Sequence, residues 1–301
     1  MEKSRRIINR INQKDSAYPR LLKEIPNPPQ QLYLLGALPK DPPAGGPKVA
    51  IVGTRKATGE GKKLAKEIAK KLAEKGIVIV SGLAMGIDTA AHEGAVLAGG
   101  KTIAVLANGL DSIYPSQNEN LAKKILESDG ALISEYPPET PSFPNQFLER
   151  NRIISGLSVA TIIIEAPERS GSLATANWAA QQGREVFVFP GPTNHPNFRG
   201  SHKLIRDGAR LVASVEDILE DLQLEIPNLK IQIPNKSQNA KSKIINENQL
   251  LIHKVIQDAG RPLTVDKIIE FTNLEPQIVS QAVSFLVIEE IIKETEKGYT
   301  I

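Results

Sequence analysis

An acid–base pair is the first arrangement in this sequence that could do chemistry. Asp88 and His92 are four residues apart, so they share one face of a helix. Catalysis by such a pair would need a nucleophile, and the candidates are Ser81 and Ser172. Neither serine lies in a motif that would position it for attack. We therefore expect Asp88 to accept backbone N–H groups near its helix start and His92 to pack locally, and we predict no catalytic residue.

Glycine-bearing turns are the second arrangement, and they suit an anion. Glycine lets backbone N–H groups approach a ligand closely, and a following helix N-terminus adds a positive dipole end. Arg55, in the first turn, suits a phosphate, and the alternative is a structural salt bridge with Glu60. Any single turn can use glycine for geometry alone, but five on one sheet edge favour a ligand surface. The turns are GTRKATGEG (53–61), SGLAMGID (81–88), ANGLDSIYP (107–115), EAPERSGSLATA (165–176) and PGPTN (190–194).

Aromatic and basic residues alternate in SFPNQFLERNRIISGLS (142–158), in a chain that is only 4% aromatic. Phe143 and Phe147 could stack bases while Arg150 and Arg152 hold phosphates, which suits single-stranded nucleic acid. The alternative is an amphipathic helix with core phenylalanines and solvated arginines. Lys203, in GSHKLIRDGAR (200–210), adds a further cation after the last strand.

Short apolar runs alternating with helical stretches must position these residues. Strands buried on both faces show little polar alternation, which is typical of a parallel sheet. The helical stretch 61–76 has Leu64, Ile68 and Leu72 on one face and ends at Gly76. This rhythm predicts an α/β fold, an extended Rossmann-like, doubly wound, mostly parallel sheet that binds ligands at the carboxyl ends of its strands. The strands are expected at 49–53, 77–81, 102–106, 131–134, 161–166 and 186–190.

Several site classes are excluded by motif and composition. No GxGxxG follows the first strand and no acidic residue ends the second, so a nicotinamide cofactor is not expected, and there is no GxxxxGK[ST] loop. The chain has no cysteine, and we predict neither a metal site nor a cofactor. No run of 18 apolar residues and no secretory signal is found, so we predict no membrane association and a cytoplasmic location.

Composition divides the chain into four regions. Residues 1–48 form a short N-terminal segment and linker, 49–222 the Rossmann-like domain, 223–248 a polar linker, and 249–301 a small domain. The region 49–222 holds 19 Lys and Arg against 20 Asp and Glu, so a polyanion site there must be a focused cluster.

The C-terminal region reads as three helices and a hairpin, which predicts a winged helix. Duplex DNA binding would be the usual inference. Residues 249–301 nevertheless hold 5 Lys and Arg against 8 Asp and Glu, and the expected recognition helix, 275–290, has no cation. Because phosphate neutralisation needs cations, we expect this domain to contact protein rather than duplex DNA.

The motifs together resemble the DNA-processing protein A (DprA/Smf) family. They are VAIVGTR (49–55), SGLAMGIDTAAH (81–92), VLANGLDSIYP (105–115), FPNQFLERNRIISGLS (143–158), EAPERSGSLATANWA (165–179), VFVFPG (186–191) and GSHKLIRDGA (200–209), in order and at compatible spacing. The resemblance implies a non-enzymatic, homodimeric protein that binds incoming single-stranded DNA, protects it and loads RecA-type recombinase onto it in natural transformation.

The resemblance also implies roles for particular residues. Arg55 matches a phosphate-binding arginine, 143–152 a base-stacking and phosphate-binding segment, and Gly171, Ser172 and Thr175 a backbone-rich phosphate pocket. Met85 stands where many members carry an arginine, so one phosphate contact is expected to be missing. The N-terminal region leaves little room for a helical domain that many members have. The predicted nucleic-acid-binding residues are Gly53, Thr54, Arg55, Ser81, Gly82, Phe143, Phe147, Arg150, Asn151, Arg152, Gly171, Ser172, Thr175 and Lys203. On this interpretation the turn SGLAMGID (81–88) directs its backbone N–H groups at a phosphate of the nucleic acid.

Two other functions stay open from the sequence. The first is a Rossmann-like nucleotide phosphoribohydrolase of the lysine-decarboxylase-like group, whose PGGxGTxxE motif would correspond to SGSLATANW. Trp178 then occupies the position of the catalytic glutamate and cannot do acid–base work, although Glu165 and Glu168 are near in sequence. The second is a scaffold that docks partners through the winged helix and has no DNA affinity elsewhere.

Overall fold

The computed structural model describes residues 7–222, 247–272, 274–288, 291–295 and 298–300. The chain divides into two compact units, 1–230 and 231–301. The linker predicted at 223–248 lies outside the described residues, except for its last two residues, which begin a helix.

A nine-stranded sheet forms the centre of the first unit. Its strands are β1 (Asn9–Asn12), β2 (Gln31–Gly36), β3 (Lys48–Gly53), β4 (Val78–Ser81), β5 (Thr102–Val105), β6 (Ala131–Ser134), β7 (Ala160–Ile164), β8 (Glu185–Val188) and β9 (Arg210–Leu211). Their order is β1-β2-β6-β5-β4-β3-β7-β8-β9. The strands β3 to β9 pair in parallel, and β2 pairs antiparallel with both β1 and β6. The six predicted strands and the mostly parallel α/β architecture are confirmed.

Helices cover both faces of this sheet. They are α1 (Arg20–Lys23), α2 (Gly59–Glu74), α3 (Ile87–Leu97), α4 (Glu119–Glu127), α5 (Pro144–Gly156), α6 (Gly171–Gln181), α7 (Arg199–Arg206) and α8 (Val215–Asp221). Successive side chains of a strand point to opposite faces. Val49 and Ile51 of β3 therefore pack with α2, α3 and α8, whereas Ala50 and Val52 pack with the opposite layer, which includes α5 and α6.

The N-terminal region contributes two strands that the sequence did not predict. In β2, Tyr33 lies opposite Ser134 and Leu35 opposite Leu132 of β6. The run QLYLLG is flanked by prolines and glycine, and it has neither a helical nor a strictly alternating apolar pattern. Its strand character comes from pairing on both edges, with the nearby β1 and with β6, which is about one hundred residues away in the chain.

The sheet has one topological switch point. The chain runs from β3 outward through β4 and β5 to β6, and then crosses to β7 on the other side of β3. The loops that follow β3 and β7 therefore diverge, and a crevice opens between them at the carboxyl ends of the strands.

The second unit contains α9 (Glu247–Ala259), α10 (Val265–Thr272), α11 (Pro276–Ile288), β10 (Lys293–Thr295) and β11 (Gly298–Thr300). The two strands form an antiparallel hairpin, and Tyr299 also exchanges backbone hydrogen bonds of 2.8 and 3.0 Å with Leu263. Ile252, Ile268 and Val283, one from each helix, are buried in a shared core. Within the described residues, no helix combines the length and the apolar character needed to cross a membrane.

Candidate functional site

A cleft of about 490 Å³ opens at the switch point, and we call it the switch-point cleft. The turn after β3, the turn after β4, the first half of α5 and the start of α6 form its walls. Its lining residues are Val52, Gly53, Thr54, Arg55, Ala84, Asp88, Tyr114, Pro144, Phe147, Leu148, Arg150, Asn151, Ile154, Pro167, Arg169, Ser170, Gly171, Ser172 and Thr175. Nine of the fourteen predicted nucleic-acid-binding residues are among them.

Arg55 is an exposed cation at the rim of this cleft. Its guanidinium carbon lies 5.0 Å from the centroid of the Phe147 ring, which is a cation–π contact. The Phe147 ring in turn lies 5.5 Å from the Tyr114 ring. No carboxylate of the described residues, Glu60 included, pairs with Arg55, so its charge is available to a ligand.

The start of α6 forms the opposite wall of the cleft. Ser170 caps the helix by accepting a 3.3 Å hydrogen bond from the Ser172 N–H, and the Asn151 side chain donates to the Gly171 carbonyl at 3.1 Å. A Cβ built on Gly171 would meet nothing within 4 Å, so the backbone here faces open space. Arg169 precedes the helix and also lines the cleft. A helix N-terminus with an exposed arginine beside it favours an anionic group.

Arg150 has a role that differs from the predicted one. The residue is only 3% exposed, and its guanidinium donates hydrogen bonds to the carbonyl oxygens of Gly82, at 2.8 Å, and Val105. Burial lowers its pKa to about 10, against the opposing effect of Asp88. A Cβ on Gly82 would lie 2.6 to 2.7 Å from three of its guanidinium atoms, so Gly82 provides room for the arginine. Arg150 therefore positions the floor of the cleft, because its donors are directed at backbone carbonyls.

The turn SGLAMGID also differs from its predicted role as a donor turn. Asp88 accepts hydrogen bonds from the N–H groups of Gly82 at 3.1 Å and Ala84 at 3.4 Å, so these two donors are not available to a phosphate. Burial raises the pKa of Asp88, and Arg150 acts against this shift. Gly86 has a φ of +88°, and its Cβ would lie 2.4 Å from the carbonyl oxygen of Thr54. The turn thus supports the backbone that carries Arg55, and Asp88 is structural, as expected.

A second cavity adjoins the switch-point cleft and is lined by residues that include Gly82, Met85 and Tyr114. Four predicted site residues lie outside both cavities. Ser81 is buried and donates to the Ile51 carbonyl at 2.6 Å. Arg152 pairs with Glu135 at 2.5 Å, and both side chains are mostly buried. Phe143, at the start of α5, and Lys203, on α7, are exposed but line neither cavity.

Among the lining residues that the sequence did not predict are Tyr114, Leu148 and Arg169, and Met85 lies on the neighbouring turn. Met85 is 44% exposed, Tyr114 47% and Leu148 52%. Tyr114 and Arg169 lie in ANGLDSIYP and EAPERSGS, two of the turns that the sequence placed at the ligand edge. The available signal was an aromatic or basic residue in a turn following a strand.

Glu165 is a buried structural carboxylate and does not line the cleft. It accepts hydrogen bonds from the Thr58 N–H at 2.9 Å and from the Thr58 hydroxyl, and a third from the Asn197 side chain at 2.9 Å. These bonds join the turn after β3 to the loop after β8. Across the described part of the chain, no cluster of His, Asp and Glu could hold a metal ion.

His92 is buried behind the cleft as a neutral imidazole. Thr102 donates its hydroxyl proton to the Ile79 carbonyl at 2.7 Å, so His92 Nδ1 must donate to the Thr102 oxygen, 2.8 Å away. Its Nε2 is buried without a hydrogen-bond partner. Burial, with a smaller effect of Arg150, lowers the pKa of His92 to about 3. The histidine is therefore structural rather than catalytic.

This burial predicts a dependence of stability on acid. Because the folded pKa lies below the unfolded value of about 6.5, the stability is fully present above pH 6.5 and is lost as the pH falls towards 3. We expect the contribution of His92 to fall by about 1.4 kcal/mol per pH unit in this window. Urea unfolding of wild type and His92→Gln at pH 7, 6, 5 and 4 measures it. The variant should show a shallower decline than wild type, and equal slopes would contradict the assignment.

The chain resembles known proteins over most of its first unit. The family profile described as DNA recombination-mediator protein A matches residues 9–223. Protein Smf from Escherichia coli is 48% identical over 176 residues, which cover 58% of this chain and 47% of that protein. DNA processing protein DprA from Bacillus subtilis is 45% identical over 215 residues, 71% of each chain. The match to the Escherichia coli protein thus spans about half of that protein's length.

Solved structures agree with the sequence matches. DNA processing protein A from Streptococcus pneumoniae superposes with a TM-score of 0.65 at 40% identity, covering 71% of this chain and 74% of the other. DNA processing protein A from Helicobacter pylori, described for its single-stranded DNA binding mode, gives 0.64 at 31% identity, covering 74% and 98%. All residues that line the switch-point cleft fall within the matched range 9–223.

Proposed function

The chain belongs to the DNA recombination-mediator protein A family, as its motifs predicted, and from that membership we propose that it binds single-stranded DNA through the switch-point cleft. In this proposal it protects the strand and loads a RecA-type recombinase onto it in natural transformation. It acts as a homodimer in the cytoplasm, where a recombinase and its DNA would meet.

The observation that carries the proposal is an arginine with no carboxylate partner among the described residues, next to two aromatic rings, the half-buried Phe147 and the exposed Tyr114. Arg55 stacks on Phe147, and Tyr114 extends the aromatic surface. Bases of a single strand have free faces that can stack on such rings, whereas bases of a duplex are stacked on each other. Arg55, Arg169 and the start of α6 supply the positive charge that a sugar–phosphate backbone needs, in a domain without a net basic charge.

Fluorescence anisotropy tests the proposal directly. A labelled homopyrimidine strand and a duplex of equal length are titrated with the protein at two salt concentrations. We expect tighter binding of the single strand and an affinity that falls as salt rises, because phosphate contacts release counterions. Equal binding of both DNAs, or no binding of either, would contradict the proposal.

A nucleotide hydrolase is the rival function, and the geometry gives it no support. Catalysis needs a carboxylate facing the ligand. Asp88 lines the cleft, but its carboxylate accepts hydrogen bonds from the N–H groups of Gly82 and Ala84. The Glu165 carboxylate is bonded to Thr58 and Asn197, and Glu168 does not line the cleft. We therefore propose that the protein is not an enzyme. Release of free base from nucleoside monophosphates, measured by chromatography, would overturn this part of the proposal.

The C-terminal unit is proposed to be a winged helix that contacts protein. Its three helices are followed by the hairpin of β10 and β11, in the order that a winged helix requires. The low number of cations in residues 249–301 and the absence of any in 275–290 disfavour a duplex-binding surface.

Deleting residues 249–301 should therefore leave single-strand affinity within about twofold of wild type, because the remaining unit keeps all the proposed phosphate contacts. Anisotropy of the full chain and the truncated chain on the same strand measures this. A full chain that binds and a truncated chain that does not would reassign DNA binding to the C-terminal unit. A lack of affinity in both chains would favour the scaffold function.

A further inference from the structure

Glu165 holds the turn that carries Arg55 at both of its ends. The Thr54 N–H donates to the backbone carbonyl of Glu165 at 2.8 Å, and the Thr58 N–H donates to its carboxylate at 2.9 Å. The Thr58 hydroxyl donates to the same carboxylate. One residue, directly after β7, therefore fixes the turn on either side of Arg55, whose side chain stays exposed.

The backbone of Glu165 has a conformation that residues other than glycine seldom adopt. Its φ is +53°, in the left-handed region, and the residue is 1% exposed. Such a conformation is unfavourable and persists where the surrounding structure enforces it, as often happens at functional sites. The carbonyl and the carboxylate of Glu165 are both bonded to the turn after β3. The strained backbone is therefore matched by the bonds that hold this turn.

Asn197, in the loop after β8, holds the middle of the same turn. Its side-chain amide donates to the Lys56 carbonyl at 3.1 Å and to the Glu165 carboxylate at 2.9 Å. Lys56 follows Arg55 directly, so the turn is fixed at its centre as well as at its ends. Asn197 is half-buried and does not line the switch-point cleft. An effect of Asn197 on a ligand would therefore be indirect, through the turn that it holds.

The loop that carries Asn197 is fixed by contacts of its own. The Asn197 N–H donates to His195 Nδ1 at 3.2 Å, within the short 3₁₀ turn Pro196–Phe198. The Phe198 ring contacts the His195 ring at a centroid distance of 5.7 Å. A Cβ on Gly191 would lie 2.2 Å from the Phe198 ring, so only glycine leaves room for this ring. The Asn197 amide is thus in place before a ligand binds, which spares the ligand the cost of ordering it.

We propose that Asn197 and Glu165 are positioning residues, which hold the Arg55 backbone so that its guanidinium meets a phosphate of the strand. A guanidinium binds a phosphate through N–H groups in a fixed geometry, so a small displacement of the turn weakens the contact. This inference rests on the proposed function and adds to it the residues, outside the cleft, that keep Arg55 in place.

Asn197→Ala tests this inference, because it removes both side-chain bonds without changing a residue that lines the cleft. Anisotropy with a labelled oligothymidylate at low salt compares wild type, Asn197→Ala, Arg55→Ala and the double variant. We expect Asn197→Ala to weaken binding by about fivefold, a usual effect of a lost hydrogen bond. In the Arg55→Ala background it should have no further effect, because the positioned group is gone. Asn197→Asp keeps the shape of the side chain but cannot donate, so it should behave as the alanine variant does.

Gln182→Ala is the matched control. Gln182 is also half-buried and outside the cleft, and its side-chain amide donates to a backbone carbonyl, that of Arg152, at 3.0 Å. Any loss of affinity that it causes should be the same with and without Arg55. Glu165→Gln is a second test, because a carboxamide offers one acceptor oxygen where the carboxylate offers two, and its effect should depend on Arg55. Thermal unfolding midpoints check that all variants are folded.

The outcomes separate this inference from the proposed function. Suppose that wild type binds and Arg55→Ala binds weakly. If Asn197→Ala then binds as wild type does, or loses the same factor with and without Arg55, the positioning role is wrong and single-strand binding stands. If Arg55→Ala binds as wild type does, Arg55 makes no phosphate contact and the inference is also wrong. If wild type does not bind oligothymidylate, the proposed function fails and the inference with it.

Discussion

Replacing Arg55 with alanine is expected to lower single-strand affinity by about 10- to 100-fold at low salt, because a charge-assisted hydrogen bond contributes roughly 1.5–3 kcal/mol. The loss should be the same for strands of any sequence, since phosphates carry no base information. The slope of log affinity against log salt should become shallower by about 0.7, the value for one phosphate contact on a single strand. Anisotropy titrations of several homopolymers over a salt series measure all three quantities.

The matched control for this loss is Arg20→Ala. Arg20 carries the same charge and lies on α1, outside the switch-point cleft; its side chain is 85% exposed and pairs with Glu24 at 3.2 Å. It should change the affinity and the salt slope very little, because exposed charges at a distance are screened. If the two alanine variants behave alike, Arg55 makes no specific phosphate contact. Arg55→Lys should keep part of the affinity, because lysine keeps the charge and loses the planar fork.

Replacing Arg150 with alanine should instead destabilise the fold, by about 3–5 kcal/mol, which is the usual cost of removing one partner from a buried charged network. The change leaves the carbonyl oxygens of Gly82 and Val105 without their buried donor. It also removes the cation that opposes the raised pKa of Asp88. Urea unfolding can be followed through Trp178, the single tryptophan of the chain, which lies on α6 in the same unit.

The alanine variants of Arg55 and Arg150 are expected to differ in stability. Arg55→Ala should unfold at the same urea concentration as wild type, because Arg55 is exposed and its main contact is one ring. An Arg150→Ala protein with wild-type stability and strongly reduced DNA affinity would show that Arg150 contacts the ligand directly, as the sequence pattern had suggested. Gly82→Ala should be destabilising for a related reason, since its Cβ would press on the buried guanidinium.

Most of the fold was predictable because it depends on the spacing of apolar residues within short segments of the chain. The apolar runs at β4 and β5 are buried along their whole length, which only a sheet covered on both faces allows. The helix predicted at 61–76 extends over Gly59–Glu74, and Gly76, beyond its end, has a φ of +79°. The strand β2 was missed, because its own residues show no clear period and one of its two pairing partners, β6, is distant in sequence.

The sequence predicted which turns line the site, but it predicted only part of the roles of the individual residues. The turns after β3 and β7 lie on either side of the crevice, as the strand–helix rhythm required, so Arg55, Gly171 and Ser172 were correctly expected to line it. Arg55, Arg150 and Arg152 looked equivalent in the sequence. In the structure the first is exposed on Phe147, the second is buried under Gly82, and the third pairs with Glu135.

The sequence by itself determined the family, the parallel sheet and the edge of the sheet at which the cleft opens, because apolar period and turn composition are properties of neighbouring residues. Only the tertiary structure decided which cations at that edge are free. A guanidinium is free to bind a ligand only where distant segments bring no carbonyl or carboxylate to pair with it. Arg150, for example, donates to the carbonyl of Gly82, which is 68 positions away in the chain. The second cavity arises in the same way, because Met85, Tyr114 and Phe147 come from three separate connections of the sheet.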